Sequence, residues 1–144
     1  MFLGEYVHNI DSKGRLTLPA KYRAELAKGV VITRGVERCL LVFPVDAWET
    51  LANDITSLPF ARKDARIFNR FFFGGASECA PDKQGRVLLP NNLRSYANLD
   101  GETIIVCLDK HMEIWNPERW RQAEEDMEEK IEIIAEGLAE LGIL

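Results

Sequence analysis

DSKGRLTLPAKYR, residues 11–23, returns as DKQGRVLLPNNLR, residues 82–94, an offset of 71 in a chain of 144. Six of the thirteen positions are identical: Asp11/Asp82, Gly14/Gly85, Arg15/Arg86, Leu18/Leu89, Pro19/Pro90 and Arg23/Arg94. The chain is one unit written twice, and such a repeat governs the reading of the whole fold. A core asks only for apolar volume in the right pattern. A polar turn repeated with its arginine points instead to a site used twice.

Outward from the turn, residues 2–10 alternate weakly and read as a strand. Asp-Ser-Lys-Gly is turn chemistry, since Asp can bond its own backbone and Gly supplies positive φ. Residues 15–18 form a second strand that makes a hairpin with the first, its tip at Lys13-Gly14. Pro19 starts a short helix over AKYRAELA, capped by Gly29. VVITR and CLLVF are two further strands, and Pro44 opens a helix with Trp48, Leu51 and Ile55 at helical spacing. The second half repeats the order: a hairpin over 76–89 tipped by Asp82 to Gly85, a helix over 91–97, strands over 102–108 and 111–115. A final helix begins at Pro117 with Asn116 as N-cap. Trp48 and Trp120 correspond at an offset of 72, so the repeat covers nearly the whole chain.

The expected organisation is a single domain, 1–144, built from a first repeat (1–58), an extra helix and linker (59–75) and a second repeat (76–144). Half of 144 residues is too short to bury much core alone, so the halves are expected to share one. The extra segment FARKDARIFNRFFF carries five phenylalanines and four Lys or Arg. Its aromatics are expected in a core or subunit interface rather than stacked on bases. The final helix sets Trp120, Ala123, Met127, Ile131, Ile134, Leu138 and Leu141 at spacings of 3 or 4, close to a heptad seam, with an acidic opposite face. That seam either packs on its own domain or joins two subunits.

Apolar content of 47 % and charged content of 28 % describe a soluble globular chain. No apolar run reaches the roughly 20 residues that span a bilayer, so no membrane partner is expected. The opening MFLGEYVHNI lacks the features of a signal peptide. Three cysteines without C-x-x-C spacing predict reduced, buried thiols rather than disulfides or a zinc site. His8 and His111 lack partners at ligand or triad spacing, and no phosphate loop or nucleophile elbow occurs. An enzyme, a cofactor, a metal and a small-molecule substrate are therefore not expected. The net charge of −5 hides an uneven distribution: residues 117–144 carry −6, and residues 1–43 carry +3. A basic face away from the final helix is compatible with a nucleic-acid partner.

The repeated turn has a structural reading, an Asp–Arg pair across a tight turn, which contributes little when exposed. It also has a functional one. Lys13 and Arg15 in one loop, with Lys83 and Arg86 in the other, form a basic pair of tips, and Gly14 and Gly85 permit close backbone approach. A two-stranded ribbon fits the major groove, and arginine bonds guanine O6 and N7 in bidentate fashion. Arg15 and Arg86 are expected to be exposed on the tips, with Asp11, Gly14, Asp82 and Gly85 shaping the turns.

Along its full length the chain resembles the MraZ family, through MFLGEYVHNIDSKGRLTLPAKYR, the second D-x-x-x-R in DKQGR, their separation, the length and the tryptophans. That family is similar to AbrB-type swapped-hairpin transcription factors. The resemblance implies an α+β, mainly β, pseudo-two-fold double swapped-hairpin barrel with peripheral helices and a long C-terminal helix. It also implies a cytoplasmic, nucleoid-associated regulator that binds short direct repeats in double-stranded DNA and represses its own operon, the division and cell-wall gene cluster. A ring-shaped, octamer-like homo-oligomer and DNA contacts by Arg15 and Arg86, then Lys13 and Lys83, are implied as well. One departure is that Gln84 stands where the first loop has Lys13, while Lys83 matches Ser12, so the loops need not contribute equally. The rival reading is a ring-forming interaction scaffold with incidental DNA affinity.

Overall fold

The computed structural model describes residues 1–144. Eight strands are β1 (Phe2–Asn9), β2 (Arg15–Thr17), β3 (Val30–Arg34), β4 (Leu40–Pro44), β5 (Ser77–Cys79), β6 (Arg86–Leu88), β7 (Glu102–Asp109) and β8 (His111–Trp115). The helices are α1 (Arg23–Leu26), preceded by a 3-10 turn at Ala20–Tyr22, then α2 (Val45–Thr56), α3 (Lys63–Phe72), α4 (Asn91–Ala97) and α5 (Pro117–Glu140). The extra helix begins three residues later than the 60–73 segment proposes, after Arg62.

The pairing corrects one expectation. β1 and β2 do not zip into a hairpin; they share a single bridge, Ile10 to Leu16. β2 pairs instead with β6, its copy in the other half, Leu16 facing Val87 at the centre. β1 pairs with β7 and β5 with β3, so each half's first strand lies on the other half's sheet. The reason is burial. Leu16 and Val87 are fully buried in the two-stranded ribbon, where both halves contribute to their cover. A hairpin confined to one half has no such cover.

All these ladders are antiparallel, and together they give a six-stranded sheet, β1-β7-β8-β4-β3-β5, and the ribbon β2-β6. The registers obey an approximate two-fold axis. Leu16 opposite Val87 marks it in the ribbon, and Leu41 opposite Glu113 marks it where β4 meets β8. The resemblance implies a barrel; the hydrogen-bonded pattern is this sheet and ribbon, joined at the one bridge.

Between sheet and ribbon lies one core. Leu16, Leu18, Ile32, Leu40 and Val42 from the first half meet Val87, Leu89, Ile105, Met112 and Ile114 from the second. Alternation along the strands sends every second residue to the other face, as the pleat requires. That face is divided. Over one part, α2 and α3 build an aromatic cluster of Phe43, Trp48, Phe72 and Phe73, on which His111 stacks. Over the other, Trp115, Cys39 and Val106 pack beneath Trp120 and Ala123 of α5.

The phenylalanines of the extra segment are core only in part. Phe72 is buried and Phe68, Phe71 and Phe73 are half-buried, but Phe60 is exposed. All three cysteines are free; Cys39 and Cys107 are buried, and Cys79 is only half-buried. Burial pushes the Cys39 thiol up to about 12, which keeps it protonated and inert. Asn116 caps α5 as its position predicts, accepting from the amides of Glu118 and Arg119. Past Ala123, α5 leaves the body. Met127 and Ile134 are 48 % and 51 % exposed, so packing of the whole seam on its own domain is excluded. No helix is long and apolar enough to cross a membrane.

Candidate nucleic-acid interface

Each loop is organised by its aspartate. Asp11 Oδ1 accepts from the amides of Lys13 and Arg15, both at 2.9 Å, and Oδ2 accepts from Arg15 Nε at 2.7 Å. Asp82 does the same with Gln84, Arg86 and Arg86 Nε at 2.9, 2.9 and 2.7 Å. The backbone closes both turns identically, Gly14 N to Asp11 O at 3.0 Å and Gly85 N to Asp82 O at 2.9 Å. Gly14 and Gly85 take φ of +82° and +76°, which a side chain at either position would resist. This geometry aligns Lys13 with Gln84 and Lys83 with Ser12, as the residue-by-residue comparison of the loops requires.

The hydrogen bonds set the charge state. Those from the Arg15 backbone and side chain, with one from Lys13, hold Asp11 below the usual carboxylate range, and Arg86 and Gln84 do so for Asp82. Each carboxylate therefore stays ionised and fixes its arginine at Nε. The terminal nitrogens of Arg15 and Arg86 donate no hydrogen bond within the chain and remain free for a ligand.

Register places the two arginines together. Arg15 faces Leu88 and Thr17 faces Arg86, while Leu16 and Val87 point into the core. Arg15, Thr17, Arg86 and Leu88 thus share the outer face of the ribbon. Arg15 and Arg86 are diagonal neighbours, a relation that puts backbones about 7–8 Å apart. Their side chains are 30 % and 28 % exposed, which corrects the expectation of free arginines on open tips. The aspartate pairing holds each side chain by its Nε to its own turn. Lys13 and Lys83 are exposed beside them.

Two cations of this face were missed as site residues. Arg23 Nη2 donates to Gln84 O of the opposite loop at 3.0 Å, and the guanidinium of Arg94 lies over Gly14. Their identity in the repeat was the available signal, but only the exchange of strands brings each one to the other half's loop. The two loops, with the arginines that lie against them, bring together six cationic side chains (Lys13, Arg15, Arg23, Lys83, Arg86 and Arg94) and the carboxylates of Asp11 and Asp82, both already paired. His8 and His111 lie outside this group; burial against Phe43 lowers the His111 pKa.

Fold and loops together define a class: an internally duplicated protein whose halves exchange strands and present two matched basic loops on one ribbon. The chain belongs to the MraZ family. The model of the family described as "MraZ protein, putative antitoxin-like" matches it twice, over residues 1–71 and 72–139. The "Transcriptional regulator MraZ" of Desulforamulus reducens is 50 % identical over 98 % of this chain and 99 % of its own length. The protein of the same name from Halothermothrix orenii is also 50 % identical, over 99 % and 100 %. That of Moorella thermoacetica is 48 % identical over the same shares.

Proposed function

We propose that this chain is a cytoplasmic, nucleoid-associated transcriptional regulator that binds double-stranded DNA by sequence. One observation carries the reading. Two loops with the same hydrogen bonds sit side by side on a ribbon, each holding an arginine by Nε with its terminal nitrogens free. A guanidinium fixed in this way can address guanine O6 and N7 without first losing rotamer freedom. Lys13 and Lys83 supply phosphate contacts, which position the ribbon without reading sequence.

The two-fold relation of the loops limits one chain to a few base pairs. Useful affinity then calls for several chains, and the uncovered seam of α5 supports a ring-shaped, octamer-like homo-oligomer. In such a ring neighbouring ribbons engage direct repeats about 10 base pairs apart, and linkage of the contacts can raise avidity 10²–10⁴-fold. The expected target lies ahead of the protein's own operon, in the division and cell-wall gene cluster, with repression as the outcome.

Footprinting on that upstream DNA, with repeat spacing varied, tests the reading. Protection of evenly spaced repeats, weakened by a half-turn insertion and largely restored by a full turn, is expected. Equal affinity for scrambled DNA would instead favour the scaffold reading, which the acidic α5, exposed past Ala123, supports.

A further inference from the structure

Arg23 and Arg94 stand at one position of the repeat, 71 residues apart, yet each lies against the loop of the other half. A Cβ built on Gly14 would be 3.0 Å from Arg94 Cζ, 3.1 Å from Nη2 and 3.3 Å from Nε. One built on Gly85 would be 2.8 Å from Arg23 Nε, 3.4 Å from Nη2 and 3.5 Å from Cζ. Distances this short and this similar mean that the flat guanidinium rests on the bare glycine, in space any larger residue would need.

The same glycines are held a second time from across the axis. Gly14 O accepts from Leu89 N and Gly85 O from Leu18 N, each at 2.9 Å. Leu18 and Leu89 begin the short segments that end in Arg23 and Arg94. Each loop is therefore gripped at its carbonyl and its Cα by one stretch of the opposite repeat.

The two grips differ. Arg94 also donates from Nε to Leu89 O at 2.9 Å and from Nη2 to Asn91 Oδ1, bonds within its own repeat. The residue matching Asn91 is Ala20, which has no side-chain acceptor. Arg23 makes its hydrogen bond across the axis, to Gln84 O. Neither arginine takes part in an ion pair with a carboxylate, so neither is placed by one.

We propose that Arg23 and Arg94 are positioning residues that act in trans between the repeats: Arg23 fixes the loop that aims Arg86, and Arg94 the loop that aims Arg15. The fold then couples the two loops, since a disturbance in either repeat is felt at the other repeat's reading arginine. The functional consequence rests on the DNA-binding reading; the placement does not.

Exchange measurements by NMR on the free full-length protein separate the two. Arg23→Ala and Arg23→Lys should speed exchange of the Arg86 Nε–H and the Gln84 and Arg86 amides several-fold, on the order of one lost hydrogen bond. The Lys13 and Arg15 amides should keep their rates. Arg94→Ala and Arg94→Lys should speed the Arg15 Nε–H and the Lys13 and Arg15 amides by a smaller factor, since Arg94 lies over Gly14 without a hydrogen bond to that loop, and should leave the Gln84 and Arg86 rates unchanged; amides of β7 report that the fold is intact. Lysine keeps the charge but not the plane, so it should not rescue. Effects confined to the mutated repeat, equal in both loops or absent would overturn the proposal. So would a salt slope for DNA lowered by about one in Arg23→Ala and restored in Arg23→Lys with exchange unchanged, the mark of a plain phosphate contact. A crossed exchange pattern in a protein without DNA affinity would uphold the placement and remove the DNA-binding reading.

Discussion

Helices α2 and α5 begin alike and end differently. Both follow the last strand of their repeat, and both carry a tryptophan four residues after the N-cap, Trp48 after Pro44 and Trp120 after Asn116. The first is covered: Trp48 stacks on Phe72 of α3 with ring centroids 5.2 Å apart, and α2 ends at Thr56. The second has no companion helix, because α3 occurs in one half only, and it runs on to Glu140 with its seam open past Ala123. The loops show the opposite pattern, with matching hydrogen bonds in both halves. Symmetry is kept where two copies serve one surface. It is broken at the helices, where only the second half leaves an apolar seam uncovered.

The most drastic way to break this comparison is to cut between the halves. Residues 1–58 and 76–144 prepared separately should show no cooperative melting, since β1, β2 and β5 each pair with strands of the other half. Circular dichroism of each fragment, then of the two mixed, checks this. A sharp transition in either fragment alone would mean that the halves are independent domains.

Next in size is the open seam. Ile131→Glu with Ile134→Glu places charge where a partner helix would pack, on a stretch left half exposed by its own chain. Sedimentation should fall to the 16.4 kDa of one chain with the melting temperature unchanged. Affinity for multiply repeated DNA should drop by about 10²–10⁴ as linkage is lost. An assembly that survives both glutamates would assign oligomer contacts to another face.

Much of this was legible in the chain. D-x-x-G-R written twice located both turns and their arginines, and heptad-like spacing located the seam on α5. The exchange of β2 and β6 was not legible from periodicity, because alternation shows which face of a strand is buried but not which strand lies beside it. For the same reason Arg23 and Arg94 looked like ordinary helix residues. Only the crossing of strands carries them to the opposite loops. The partial burial of Arg15 and Arg86 escaped too, since the Asp–Arg pair was read as an exposed contact rather than as the scaffold of the turn.

At the arginines themselves, Arg15→Ala and Arg86→Ala should each cost about 1–3 kcal/mol of specific DNA binding and relax base preference. The two losses should be similar, because the two loops share one hydrogen-bond pattern. An unchanged affinity in the double variant would remove the assigned site. The loops differ at the adjacent position, and that difference predicts an unequal salt response. Lys13→Ala should lower the slope of log K against log salt by about one, while Gln84→Lys should raise it by as much. Opposite or absent changes would place phosphate elsewhere.

The smallest effect concerns pH and returns to the likeness of the loops. Asp11 and Asp82 are both held below the ordinary carboxylate value of about 3.9. A carboxylate depressed in the folded state stabilises the fold fully above its ordinary value, and the contribution disappears as pH falls through the lower, folded value. Loop order should therefore be flat from neutral pH down to about 4 and be lost only in more acidic solution, in both loops together. The Nε–H signals of Arg15 and Arg86 report this directly, since each is bonded to its aspartate at 2.7 Å. A midpoint at or above the ordinary value in either loop would show that its aspartate does not hold the arginine in solution. The matched geometry would then fail as the basis for two equal reading heads.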